Sequence, residues 1–256
     1  MSRHCRIWQN AGKHREIDVV TVKRIDGQSV QIEVSSTLPD VDSKYITTYR
    51  VYGSGDIIVE GQFIPGREDL PELPRFGMTM TLPGEFNHIA WYGRGPHESY
   101  WDRKTGAAVG VYSGRVWEQY HPYVRPQENG NKTDVRWIAL TNDKGVGLLA
   151  VGMDLLSVSA HQFLQEDLDW HRDRPQRHGS DVQPRDLITL NLDDKQMGVG
   201  GDTGWGRRAW PHREYRLFPK EYVFRFRLRP FSSGDFLKRF FTPKQKVPMA
   251  LSRQVF

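Results

Sequence analysis

Short runs of alternating apolar and polar residues dominate this chain, and the 3.6-residue rhythm of an amphipathic helix hardly appears. Residues 18–25, 29–38, 44–51 and 56–63 are β-rich runs separated by Asp26-Gly27, Pro39-Asp40 and Gly53-Ser54-Gly55-Asp56, which predicts an antiparallel meander of hairpins. Further strands are expected at 76–82, 88–92, 136–141, 146–151, 155–160, 187–192 and 222–228, with Asn142-Asp143-Lys144-Gly145 as one of the turns. So many short strands at close spacing predict an all-β protein, a large antiparallel sandwich. In the last run Arg225, Arg227 and Arg229 alternate with Phe224, Phe226 and Leu228, so these arginines are expected on a solvated face.

Three segments break the alternation. Residues 68–75 (EDLPELPR) carry two prolines and are expected to form an ordered connection. Residues 93–127 are aromatic and rich in Gly and Pro, which suggests a structured excursion. Residues 165–185 are polar and charged and read as a mobile surface loop carrying a helical turn. No internal repeat or composition boundary divides the chain, so residues 1–256 are expected to form one domain.

Composition changes this picture little. Apolar residues make up 38% and aromatic residues 12%, enough for a core rich in rings. The net charge of +5 is spread among 31 acidic residues, and no nucleic-acid partner is expected. The single Cys5 excludes an internal disulfide framework and a Cys-based zinc site. His171 and His178, with Asp169 and Asp173 beside them, fit no metal-ligand spacing, so neither metal nor other cofactor is expected. There is no run of about 18 apolar residues, and the polar start lacks the apolar core of a signal peptide, so no membrane contact is expected. The compartment stays open between cytoplasm and periplasm.

The chemistry concentrates in Gly198-Val199-Gly200-Gly201-Asp202-Thr203-Gly204-Trp205-Gly206. One indole stands in a glycine-rich loop with almost no other apolar bulk. The glycines permit backbone angles other residues avoid and leave the ring uncrowded. Such a ring either folds back to cap the sandwich edge or offers its face to a partner, as sugars stack on aromatic faces. A phosphate-cradling role is disfavoured, because Gly198–Gly201 lacks the following Lys.

Three blocks in order carry a resemblance. They are Leu73-Pro74-Arg75-Phe76-Gly77-Met78 with the segment from Trp91 to Arg103 (WYGRGPHESYWDR), Pro122–Gly130 (PYVRPQENG), and Met197–Asp202 followed by Trp205. This pattern resembles the C-terminal domain of family 2 β-galactosidases, which in split members is the small subunit. The resemblance implies a galactose-mutarotase-like supersandwich, here lacking the first strands of the full domain. It implies a catalytic barrel domain or large subunit as partner, a galactoside as the sugar, and leaves a homo-oligomer open. In that family one loop tryptophan enters an active site built mainly by the barrel, and Trp205 matches it by its place after Gly-Gly-Asp.

The other motif residues support two readings. Gly93, Gly95 and Pro96 would shape a turn, and Asp102 would pair with Arg103 to anchor the next segment. Glu128, Asn129 and Arg136 would form a buried hydrogen-bonded cluster holding the excursion to the sheet. The functional alternative is a sugar pocket using His121, Glu128 and Arg136, with Asp202 near the tryptophan. Hydrolysis with retention needs two carboxyl groups about 5–5.5 Å apart. The acidic pairs here, Glu166/Asp167/Asp169, Asp193/Asp194 and Glu68/Asp69, carry no distinguishing context, and the family places both catalytic glutamates in the barrel. The chain alone is therefore expected to be inactive. A mutarotase-type epimerase using His121 with Glu128 or His161 with Glu166, and a binding module without turnover, are the competing classes.

Overall fold

The computed structural model describes residues 3–169, 178–204 and 206–232. Among them every strand pairing is antiparallel and no α-helix occurs. The strands are β1 (Glu16–Arg24), β2 (Ser29–Leu38), β3 (Ser43–Tyr52), β4 (Ile57–Ile64), β5 (Arg75–Pro83), β6 (His88–Gly95), β7 (Ala108–Arg115), β8 (Lys132–Thr141), β9 (Val146–His161), β10 (Leu187–Gln196) and β11 (Tyr222–Ser232). Their order is β1-β2-β3-β4-β11-β9-β8-β6-β7, with β10 joining β5 to β9. No described helix is long and apolar enough to cross a membrane.

The first four strands form the expected meander, because alternation gives each an apolar side and short turns fix the register. The layers are joined by β9. Its first half pairs with β11 and its second half with β10, so the strand carries one continuous sheet from one layer into the other. Between the pairs Trp137↔Val151 and Val135↔Leu156, two steps on β8 are matched by five on β9. This bulged stretch exposes Met153 and Leu155, which is why the pattern reads as two separate strands.

The β5–β10 pair lies over β3, β4 and β11, and the core forms between them. The Phe76 ring sits 5.1 Å from Phe224, 5.4 Å from Tyr222, 6.2 Å from Tyr45 and 6.4 Å from Phe63. Phe63, Phe224, Phe226, Leu190 and Leu192 are fully buried here. Each such side chain contributes about 1.5–3 kcal/mol relative to exposure. On the outer face of β11, Arg225 pairs with Glu60 and Arg227 with Asp56, as alternation predicts.

Two expectations are corrected. The excursion at 93–127 contains the whole of β7, an edge strand whose Gly110, Gly114 and exposed Val111 blur its signal. Gly93 and Gly95 lie inside β6, paired with Gly110 and Ala108, and do not shape a turn. A Cβ on Gly93 would press against the Val135 backbone, and one on Gly95 against the rings of Tyr112 and Trp91. The turn begins only at the cis Gly95-Pro96 bond. The loop from 165 to 185 is pinned at both ends, since Leu168 and Val182 pack with Phe163, Trp117 and Tyr120 in a small second core.

Candidate functional site

Strand β10 is buried on both sides, and its two faces differ in kind. Ile188, Leu190 and Leu192 face the apolar core, while Thr189, Asn191 and Asp193 point the other way. The neighbouring strands continue this polar row through Thr79 on β5 and Ser159 and His161 on β9. Thr79 donates to Asn191 at 2.7 Å, and Asn191 donates to Ser159 at 2.9 Å. At one end Arg75 grips the buried Asp193 through Nε at 3.1 Å and through Nη2. Gly77 lies opposite Asp193, where any Cβ would collide with the carboxylate. Glu128 approaches the same guanidinium at 3.9 Å.

The excursion closes over this row. Glu98 accepts hydrogen bonds from Tyr100 at 3.2 Å, from the Gly130 amide at 2.6 Å and from Tyr123. Asn131 donates to the Ser99 carbonyl, and Ser99 meets Thr133 at 2.8 Å. Lys132 is buried, donates to the Pro96 carbonyl at 3.2 Å and lies 5.0 Å from the centroid of the Trp91 ring.

Burial sets the electrostatics. It pushes the Asp193 carboxyl up to about 6 against the opposing pull of Arg75. It pulls the Lys132 ammonium down to about 8 and the His161 imidazole down to about 3, with Arg75 also repelling a charged imidazole. Burial and then Glu98 raise Tyr123 to about 12. His161 is therefore held neutral, stacked 4.5 Å from Phe163. Asp193, at 1% exposure and gripped by Arg75, has no open side to offer a sugar. Arg75 and Asp193 form an internal clamp, and Thr79, Asn191 and Ser159 satisfy one another, whereas the buried Nδ1 of His161 has no partner among the described residues.

The glycine-rich loop is anchored independently. Asp102 accepts from the Val199 amide at 3.2 Å and the Gly200 amide at 3.1 Å, and Arg103 pairs with the same carboxylate at 3.0 Å. The Gly198 amide donates to Tyr215 at 2.8 Å, and Thr203 to Arg208 at 3.3 Å. Asp102 and Arg103 thus pair as expected. The glycines, however, serve close approach more than unusual angles. A Cβ at 198 would press on Asp102, at 200 on the Arg103 guanidinium, and at 201 on the carbonyls of Arg208 and Trp210. Only Gly206 among the described glycines of this loop has a left-handed φ, +67°.

Trp205 itself lies outside the described residues, as do His171, Asp173 and the arginines at 172, 174 and 177. Asp202 is exposed and accepts from His212 at 2.7 Å, which raises the affinity of that imidazole for its proton. His121 is exposed, its ring 4.2 Å from that of Tyr123 and its amide bonded to Asn129. Arg136 does not join the cluster: it donates to the Asp134 carbonyl at 2.5 Å and lies 5.2 Å from the centroid of the Tyr92 ring. The arginine that meets Glu128 is Arg75. Its signal is the alternation in Leu73-Pro74-Arg75-Phe76-Gly77, which puts Arg75 and Gly77 on the side away from Phe76. Neither His121 with Glu128 nor His161 with Glu166 is joined by a hydrogen bond, and Glu166 is exposed. His178 contacts the Val124 carbonyl at 3.3 Å. No group of three metal-binding side chains occurs among the described residues.

Beside the loop anchor, Trp101, Lys104, Asp134, Asp194, Lys195 and Gln196 line a cleft of about 180 Å³. That is below the roughly 300–1,000 Å³ of ordinary small-molecule sites. Lys195 already covers the Trp101 ring, 5.3 Å from its centroid.

Comparison with known proteins places these features. The chain is 37% identical over 232 residues to a beta-galactosidase of Priestia megaterium, covering 90% of this chain and 22% of that protein. It is 37% identical over 210 residues to a beta-galactosidase of Lactobacillus delbrueckii subsp. bulgaricus, covering 80% and 20%. Among solved structures, a GalM/aldose epimerase homologue from C. elegans overlaps with a TM-score of 0.40 at 12% identity, covering 83% of this chain and 68% of that one. The chain spans about a fifth of the length of the curated relatives it matches. Residues 2–228 match the family model described as beta galactosidase small chain, and the chain belongs to that family.

Proposed function

We propose that this chain is the accessory part of a larger β-galactosidase and presents Trp205 to a galactoside held in a separate catalytic barrel. The observation that carries this reading is the construction of the loop around Trp205. Its base is held by the buried carboxylate of Asp102 through two consecutive amides, while residues 202–204 beyond it are exposed. An anchored base beside an exposed segment suits a side chain that must reach a neighbour. The barrel supplies the two carboxyl groups of a retaining hydrolysis, and this chain alone turns over no substrate. The indole stacks on the sugar and excludes water from one side of the pocket.

A single stacked ring contributes about 0.5–1.5 kcal/mol, up to roughly tenfold in affinity, by analogy with aromatic pairs. Trp205→Ala is therefore expected to raise KM by up to about tenfold in the assembled enzyme before it abolishes turnover. The test is hydrolysis of a chromogenic β-galactoside by this chain, by the barrel-bearing polypeptide, and by both together. Activity that appears on mixing and weakens with Trp205→Ala supports the reading. Turnover by this chain alone refutes it.

A further inference from the structure

The core face of the sheet does not end where its cover ends. Register carries one row from Phe226 through Val59, Tyr49 and Ile32 to Val22, and the next from Phe224 through Gly61, Thr47 and Val34 to Val20. Along the first row exposure climbs from 0% at Phe226 and 1% at Val59 to 68% at Val22. Tyr49 still packs against the core, whereas Ile32 and Val34 stand outside it, half-buried. Ile17 on the same face is 60% exposed and Val20 54%. The opposite face of this ribbon is mostly polar, with Thr21, Lys23, Gln31, Glu33 and Ser35 beside a single exposed aliphatic, Val19. The β1–β2 ribbon is thus amphipathic, with its apolar side largely uncovered among the described residues.

We infer that this face, formed by Ile17, Val20, Val22, Val30, Ile32 and Val34, is seated against the polypeptide that makes up the rest of a β-galactosidase. The inference rests on the accessory-domain reading above and names the surface that reading needs. Scattered exposed aliphatics are ordinary, but a patch continuous with the core marks an interface. Roughly four-fifths of each curated relative lies outside the matched segment, so a covering polypeptide is at hand. The alternative of a second copy adding a strand to β1 is opposed by the edge itself. A bulge between Ile17 and Val19 interrupts the ladder, and Lys23-Arg24 ends the strand, both features that blunt edge pairing. Contact is therefore through the face and not the edge.

Cys5, the only cysteine, is 1% exposed, so a single introduced thiol reports on its own surroundings. Val22→Cys and Thr21→Cys probe opposite faces of one strand with a maleimide, read by peptide mass spectrometry. In the isolated chain both should label at similar rates. On mixing with the barrel-bearing polypeptide, Val22→Cys should slow at least about tenfold and Thr21→Cys by less than about twofold. Val20→Asp with Val22→Asp should leave the melting of the isolated chain unchanged and weaken assembly by about a hundredfold. Val109→Asp with Val111→Asp, on the exposed edge strand β7, should leave assembly intact. Assembly and activity without protection of Val22→Cys overturn this surface while leaving the accessory-domain reading standing. Failure of the unaltered chain to assemble overturns both. Slow labelling of Val22→Cys in the isolated chain also overturns the proposal, pointing to a second copy if it depends on concentration and to a segment of this chain if it does not.

Discussion

Arg75 and Phe76 are neighbours on β5, yet they enter two differently built interiors. Phe76 drops into a nest of rings from β3, β4 and β11, where contact is apolar and undirected. Arg75 points to a layer held by directed bonds, from Asp193 to Glu98 and the Gly130 amide, with the buried Nδ1 of His161 and Oδ1 of Asn131 left without a partner among the described residues. The ring side fails in proportion to the volume removed. The polar side fails when a charge is left alone, and the cost then depends on pH. One strand can serve both, because its period of two separates the chemistries completely.

The largest expected effect tests the ring side. Phe76→Ala opens a cavity among four rings and should cost about 3–5 kcal/mol in denaturant unfolding, as other large core truncations do. A loss well under that would mean the rings collapse into the gap, and that the nest is less rigid than its geometry suggests.

Arg75→Met should cost less, and its cost should move with pH. Removing the guanidinium strands Asp193, whose carboxyl burial already raises to about 6. The neutral acid then becomes the favoured native form. A folded-state value raised above the unfolded one gives stability that is present in acid and lost as pH rises through the folded value. The penalty should therefore be about 2–3 kcal/mol at pH 8 and shrink below pH 6. Unfolding curves at pH 5 and pH 8 decide it. A penalty equal at both would mean Asp193 does not carry the strain, and Asp193→Asn in the Arg75→Met background should then rescue nothing.

His161 sharpens the contrast with the opposite sign. Burial lowers its folded value to about 3 against an ordinary 6.5, so the unfolded state binds more protons between those limits. Stability from this group is complete above pH 6.5 and is lost as pH falls toward 3. His161→Phe keeps a ring beside Phe163 and removes the titration. It should lower the acid midpoint of unfolding by about half a pH unit or more, a tenfold difference in proton affinity between the two states being worth about 1.4 kcal/mol. An unchanged midpoint would assign acid unfolding to other groups.

Legibility in the sequence divides along the same line. The meander and the Arg225, Arg227 and Arg229 face are readable because alternation is local. β7 is hidden because an exposed edge strand with two glycines needs no apolar side. β9 reads as two strands because its bulge exposes Met153 and Leu155 in the middle of one. In the polar layer the motif marks Glu128 and Asn129 as clamp residues, but it points to Arg136 where the structure has Arg75. Glu128 and Arg75 lie 53 positions apart, and only the pairing of β5 with β10 brings Arg75 to Asp193 beside the excursion. The loop glycines stand out in the sequence through their freedom of angle, whereas crowding by Asp102, Arg103 and two carbonyls is invisible until the chain is folded.

That crowding provides the smallest and most discriminating test. A Cβ on Gly200 would meet the end of the Arg103 side chain, which can swing aside at little cost. A Cβ on Gly201 would meet the carbonyl oxygens of Arg208 and Trp210, which belong to backbone and cannot yield without moving the loop. Both positions lie outside the ring nest and the Asp193 clamp, so neither substitution should change unfolding by more than about 1 kcal/mol. Their effects should separate only in the assembled enzyme. If the loop places Trp205 on the sugar, Gly201→Ala should raise KM about tenfold, comparable to losing the stack, and Gly200→Ala less than about threefold. Equal effects would mean that the loop base does not govern the placement of its tip, and the rigid anchoring by Asp102 would then serve the sandwich and not the sugar.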